Sequence, residues 1–217
     1  MKLCIFGADG RTGVEVVRYA VTQHYEVVAF VHGDVSSSYF PSSVVVKRGD
    51  IMNFDSVRQA ITGTDAVISV IGHIKGSDPF MQTKGITNIV KVMESLGVKR
   101  LLSLTGTGAR VEHDTPSFVD IILNFCVMKI DPDRVRDGMA HVEVLKNSTL
   151  DWTVIRVLKL GTQDSEVSGY KLTTGGPAEI LSHRKKVAQV LVDLVKDTLY
   201  RKATCYFWVR YLPYVDN

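Results

Sequence analysis

The most chemically informative stretch of the sequence is Gly7-Ala8-Asp9-Gly10-Arg11-Thr12-Gly13, in which the glycines recur every three residues. It lies between an apolar run and a segment of helical periodicity, so it is a strand-to-helix turn. Glycines allow a tight turn and close backbone approach. A helix N-terminus adds unpaired N–H groups and the positive end of the helix dipole. Together these are the means to hold a pyrophosphate, with Gly7, Asp9, Gly10, Arg11, Thr12 and Gly13 as the expected contacts. The plain alternative is a tight turn with no ligand. The place of the loop, at the first strand-to-helix turn of an alternating chain, favours a dinucleotide.

Two later strand ends bear on which dinucleotide this is. A reader of NAD carries an acidic residue at the end of the second strand, about 20 residues after the loop, for the ribose hydroxyls. Here that end reads Val31-His32-Gly33-Asp34. His32 takes the position, and Arg11 stands in the loop where it can meet a 2′-phosphate. The expected cofactor is therefore NADP, with NAD as the alternative because one residue of slippage would let Asp34 face the ribose. The competing readings are a solvated Arg11 and a loop His32. After the third strand, Asp50 and the N–H of Ile51 can read the edges of adenine, or Asp50 can simply shape the turn. Val70, Ile71 and Gly72 close the fourth strand. Thr105-Gly106-Thr107-Gly108 closes the fifth, so Thr105 and Gly106 join the expected cofactor contacts at the sheet edge where α/β proteins bind ligands.

The elements that must position these residues alternate between two periods. Leu3–Phe6, Glu26–Val31, Val44–Val46, Ala66–Ile71 and Arg100–Leu104 read as strands. Helical spacing runs from Val14 to Gln23, from Asp55 to Ile61, and from Ile86 to Leu96 with Gly97 as its stop. This alternation over the first ~105 residues predicts an α/β fold with a doubly wound parallel sheet, helices on both faces and right-handed crossovers. Beyond it, Phe118–Ile130 is strongly apolar and Val135–Lys146 is helical. Trp152–Val157 is a sixth strand, Gly169–Leu172 and Cys205–Val209 are later strands, and a helix is expected from His183 to Leu199. The expected organisation is one Rossmann-like domain over residues 1–217, with a small C-terminal substrate lobe drawn mainly from 116–147 and 158–182.

Composition sets the outer limits. The chain has 217 residues, 45% of them hydrophobic and 23% charged, enough for a full core and unlike disordered or disulfide-stapled chains. A net charge of +3 without a basic arm predicts no nucleic-acid partner. No apolar run suits a membrane span, and Met1-Lys2 runs straight into a strand, so the expectation is a cytoplasmic protein without a membrane partner. Cys4, Cys126 and Cys205 lack ligand spacing, so no metal is expected; all three read as small buried thiols.

Several stretches resemble the atypical short-chain dehydrogenase/reductases, and most nearly the NmrA-like NAD(P)H-binding proteins and the biliverdin-IXβ/flavin reductases. They are Gly7 to Gly13, Gly49-Asp50, Gly97-Val98-Lys99-Arg100, Leu150 to Arg156, Ser168-Gly169-Tyr170-Lys171 and Ile180 to Ala188. The resemblance spans the chain and implies NADP binding, with a substrate stacked over the nicotinamide. It supplies no catalytic residue. Standard members use a Tyr four residues before a Lys; none of the eight tyrosines here has that partner, and the corresponding segment reads Arg136 to Glu143. The chain also has Val157 after Arg156 where the family commonly has Pro, which alters the expected pocket wall.

Hydride transfer to a flavin, quinone or tetrapyrrole needs little acid–base help, since the cofactor carries the hydride and positioning lowers the barrier. The expectation is an NADPH-dependent oxidoreductase for such a flat aromatic acceptor. Its alternative is a non-catalytic redox sensor that reports cofactor occupancy to a protein partner. Candidate proton donors are Thr105, Thr107, His141 and Lys159, set against a Thr105–Gly108 loop that only shapes the nicotinamide pocket, a surface His141 and a solvated Lys159. Phe118–Ile130 reads first as core, and otherwise as an apolar lid or a subunit contact in a protein that is a monomer or dimer.

Overall fold

Leu3 and Ile5 point to one side of the first strand, β1 (Lys2–Phe6), and Cys4 and Phe6 to the other. Both sides are buried, which is why the strand reads as a continuous apolar run. The structure, a computed structural model, describes residues 1–35, 39–72, 76, 78–161 and 169–210, with the backbone alone at 207–210. Ser168 of the family-like motifs lies outside the described residues.

Helix α1 (Arg11–Thr22) buries Val14, Val16, Val17 and Ala20 and returns the chain to β2 (Glu26–Val31). There follow β3 (Val45–Arg48), α2 (Phe54–Ile61), β4 (Ala66–Ser69), α3 (Met81–Leu96) and β5 (Arg100–Gly106). Asn53 caps α2 by accepting from the Ser56 N–H at 3.0 Å. Gly97 ends α3 in the left-handed conformation, φ 73°, as its position in the sequence predicts. Next come α4 (Phe118–Ile130), α5 (Pro132–Lys146), β6 (Asp151–Val157), β7 (Leu160–Gly161), β8 (Gly169–Thr173), β9 (Ser182–His183), α6 (Arg184–Asp193) and β10 (Ala203–Arg210).

The main sheet has the order β3-β2-β1-β4-β5-β6-β10-β8, all parallel except β8, which runs antiparallel to β10. The first six strands follow the order of dinucleotide-binding sheets, in which the chain reverses direction at β1 and β4. One core lies under α1 and α6 and includes Leu3, Ile5, Val17, Leu102 and Val187. The other lies on the opposite face and includes Phe6, Val57, Ile89, Met93 and Val142. Among the described residues no helix is long and apolar enough to cross a membrane.

Three expectations need correction. Much of the proposed lobe belongs to the main body, because α5 packs on α3 and adds Val142 and Leu145 to the core, while β8 joins the sheet. The last helix stops at Asp193, short of Leu199. The buried Arg100 guanidinium donates to the carbonyls of Leu194 at 2.6 Å and Val195 at 3.3 Å, satisfying the groups a longer helix would use. The third exception is α4, which is not core: of its residues only Asp120 is buried, and Cys126 is an exposed thiol. Cys4 and Cys205 are buried as expected.

Candidate functional site

The glycine loop closes through its own backbone. Gly7 has φ +77°, and its carbonyl accepts from the Gly10 N–H at 3.1 Å. A Cβ at Gly13 would lie 1.9 Å from the Gly7 carbonyl oxygen and 2.7 Å from the Ala8 Cα, so helix α1 starts directly against the turn. Gly10 is the N-cap. No side chain caps α1, and no acidic residue stands in its first turn. The amides at Arg11, Thr12 and Gly13 therefore meet the positive end of the dipole with no carboxylate competing for them. A pyrophosphate fits this cradle in shape and in charge.

Asp9 has a different place from the one expected. Its Oδ2 accepts from the backbone N–H groups of His32 at 3.1 Å and Gly33 at 3.2 Å, and the Tyr39 hydroxyl donates to its carbonyl at 3.2 Å. Asp9 thus ties the loop to the end of β2. His32 and Asp34 are exposed, and Asp34 forms an ion pair with Arg48. Arg11 is exposed at the first turn of α1. Its charge, after burial, is the second cause lowering the pKa of Arg184, the first residue of α6. Sequence reasoning missed Arg184, since only the packing of α1 against α6 brings the two guanidinium groups together.

Asp50 is exposed and shapes the turn, its Oδ1 accepting from the Met52 N–H at 2.8 Å. Ile51 is buried, with its carbonyl held by Asn88 Nδ2 at 2.9 Å. Val70, Ile71 and Gly72 leave β4 beside the loop. A Cβ on Gly7 would come 3.1 Å from Ile71 Cγ1, which explains the need for glycine there.

The end of β5 faces α5. Thr105 is buried, its Oγ1 has no hydrogen-bond partner among the described residues, and a Cβ on Gly138 would lie 3.0 Å from it. A glycine inside a helical pattern is the signal that could have announced this approach. Gly106 is half-buried at the strand end, and the buried Thr107 is held to α4 by Asn124, whose Nδ2 reaches its Oγ1 at 3.1 Å.

His141 is fully buried on α5 instead of lying on the surface. Its Nε2 is 2.9 Å from the Ser103 Oγ, and burial pushes its pKa down to about 3. A neutral, enclosed imidazole is a poor general acid at neutral pH. Lys159 is exposed just past β6, and its carbonyl accepts from the Ser182 N–H at 2.8 Å. The structure therefore gathers the loop, the ends of β4 and β5, and the start of α6 along the carboxyl edge of the sheet, and encloses His141 in the core.

Below this edge a buried network fixes the loop after β5. Arg156 donates through Nη2 to Asp114 Oδ1 at 2.7 Å and through Nη1 to the Ala109 carbonyl at 3.0 Å, and stacks on Tyr206 with its guanidinium carbon 4.0 Å from the ring centroid.

A family model described as NAD(P)H-binding matches residues 7–198. Among similar solved structures is a short-chain dehydrogenase/reductase from Veillonella parvula DSM 2008 in complex with NADP. It has a TM-score of 0.77 and 18% identity, over 95% of this chain and 93% of that one. An oxidoreductase from Lactococcus lactis matches with a TM-score of 0.79 and 19% identity, over 97% and 91% of the two chains. An anaerobilin reductase from Escherichia coli O157:H7 matches with a TM-score of 0.75 and 18% identity, over 95% and 97%. At these identities the likeness is one of fold.

Proposed function

The chain belongs to the NAD(P)H-binding family, and from that premise we propose that it is an NADPH-dependent reductase for a flat conjugated acceptor such as a flavin, quinone or linear tetrapyrrole. The observation that carries this reading is the uncapped start of α1 under the glycine turn. A dinucleotide held there by its pyrophosphate would supply the hydride from its reduced nicotinamide. The chain's own part is positioning. The loop amides hold the pyrophosphate, and Asp9 holds the loop to β2. With no Tyr/Lys pair and His141 enclosed, the reading favours acceptors whose reduction needs no strong general acid.

Arg11 and His32, both exposed, support NADPH over NADH, and Arg48 offsets the charge of Asp34 beside them. The NADP complex of the Veillonella protein and the reductase activity named for the Escherichia coli protein support the reading from outside the chain.

Two measurements test it: the Kd of NADPH and of NADH, and the loss of reduced-nicotinamide absorbance on adding a flavin, a quinone or a linear tetrapyrrole. NADPH is expected to bind about tenfold more tightly, the worth of one charge-assisted hydrogen bond of about 1.5 kcal/mol, and to be consumed with at least one acceptor. Equal or tighter binding of NADH overturns the cofactor preference. Tight binding without turnover on any acceptor replaces the reductase with a sensor.

A further inference from the structure

Helix α4 has its polarity reversed relative to an ordinary surface helix. Two of its polar residues face the body of the protein: Asp120 is buried, and Asn124 donates to the Asp120 carboxylate at 2.6 Å and to Thr107. Its large apolar side chains face outward. Phe118 is 76% exposed, Ile121 and Ile122 45% each, Phe125 63% and Met128 38%. At about 100° per residue these five positions form one stripe about 120° wide, the width of an apolar face that ordinarily packs on a core, with the exposed Val119 and Ile130 on its flank.

We propose that this stripe is the contact surface of a homodimer, in which α4 packs antiparallel against α4 of a second copy about a two-fold axis. The first support is area. At about 200 Å2 for a fully exposed large side chain, the five exposures amount to about 500 Å2 of apolar surface. Homodimer interfaces are about two-thirds apolar, so this corresponds to about 800 Å2 per partner, the usual size of a stable interface. The second support is chemical complementarity of the stripe with itself. Lys129 lies at the C-terminal end of the same face, with its Nζ 5.6 Å from the Phe125 ring centroid. An antiparallel pair brings each Lys129 toward the Phe118 ring of the other copy and opposes the two helix dipoles. A lipid surface suits the stripe less well. Helices that lie on membranes are flanked by many basic residues, whereas Lys129 is the one basic residue of α4, and Asp131 and Asp133 follow it.

Sedimentation equilibrium on the full chain, with and without phosphatidylcholine/phosphatidylglycerol vesicles, tests the assignment. The wild-type chain is expected to be a dimer at micromolar concentration. Phe125→Glu and Ile122→Lys are each expected to raise the dimer Kd about 100-fold or more, because truncating or charging the centre of an interface removes most of its energy. Both positions are exposed, so these variants should keep the wild-type thermal midpoint and NADPH affinity, which separates lost dimerisation from lost folding. A wild-type chain that stays monomeric, whether or not it sediments with the vesicles, overturns the proposal. So does a dimer that survives both substitutions.

Discussion

At the scale of single residues, His141 of α5 and Thr105 of β5, which meets α5 one turn earlier at Gly138, are both enclosed. The imidazole is enclosed beside Ser103 with a pKa near 3, whereas Thr105 presents an unsatisfied hydroxyl next to Gly138. An unfolded histidine titrates near 6.5. Above that pH His141 is neutral in both states and adds no pH dependence. Below it the unfolded chain binds a proton that the folded chain refuses, so stability falls as the pH drops from about 6.5 toward 3, by up to about 1.4 kcal/mol per pH unit. Urea unfolding of the wild-type chain and of His141→Gln between pH 7.5 and 4.5 should show the wild type losing stability more steeply. Equal slopes would mean that the imidazole titrates normally.

At the scale of elements, the cofactor cradle depends on how tightly α1 abuts the first turn. A methyl group at Gly13 would overlap the Gly7 carbonyl oxygen, so Gly13→Ala must push the helix start away from the loop. The expected result is a loss of about 1–3 kcal/mol in urea unfolding, typical of overpacking, together with loss of NADPH binding by calorimetric titration. Unchanged NADPH affinity would show that the start of α1 does not hold the pyrophosphate. Asp137 is the counterpart on the opposite face. From α5 it accepts from the N–H groups of Gln82 at 3.0 Å and Thr83 at 2.8 Å, so the start of α3 is already occupied by a carboxylate of the protein. Of the helix starts on α1 and α3, only that of α1 remains for a phosphate, and the glycine spacing in the sequence had pointed to it.

At the scale of the whole molecule, Arg156, Asp114 and Tyr206 join β6, β10 and the loop that leads into α4. Both charged groups are almost fully buried, with side-chain exposures of 0% and 3%. Removing one leaves the other unpaired in a low-dielectric interior. Arg156→Met is therefore expected to cost about 3–5 kcal/mol in thermal or urea unfolding. Asp114→Leu in the same background should cost much less than it does alone. Simple additivity in that cycle would show that the pair is not coupled. Because Asp114 also accepts from the Val111 N–H at 2.9 Å, the network sets the path of the chain between Thr105 and α4.

Some of this was legible in the residues alone. The alternation of strands and helices, the glycine turn and the stop at Gly97 rest on period and backbone preference, which neighbouring residues encode by themselves. Apolar content also identified α4 as a helix of consequence, but it could not say which side would face outward. Burial depends on what the rest of the chain places nearby. Asp9 bonds the amides that follow β2, and His141, by sequence either a proton donor or a surface histidine, lies in the core. The partners that decided the buried network and the start of α3 are 42 and 55 residues apart in sequence. The sequence by itself determined the doubly wound sheet and the glycine turn at the start of its first helix, because both follow from local geometry. Only the tertiary structure decided which charges are paired, which polar groups are enclosed and which apolar face is left outside, because desolvation and pairing act between groups that meet only after the chain has folded.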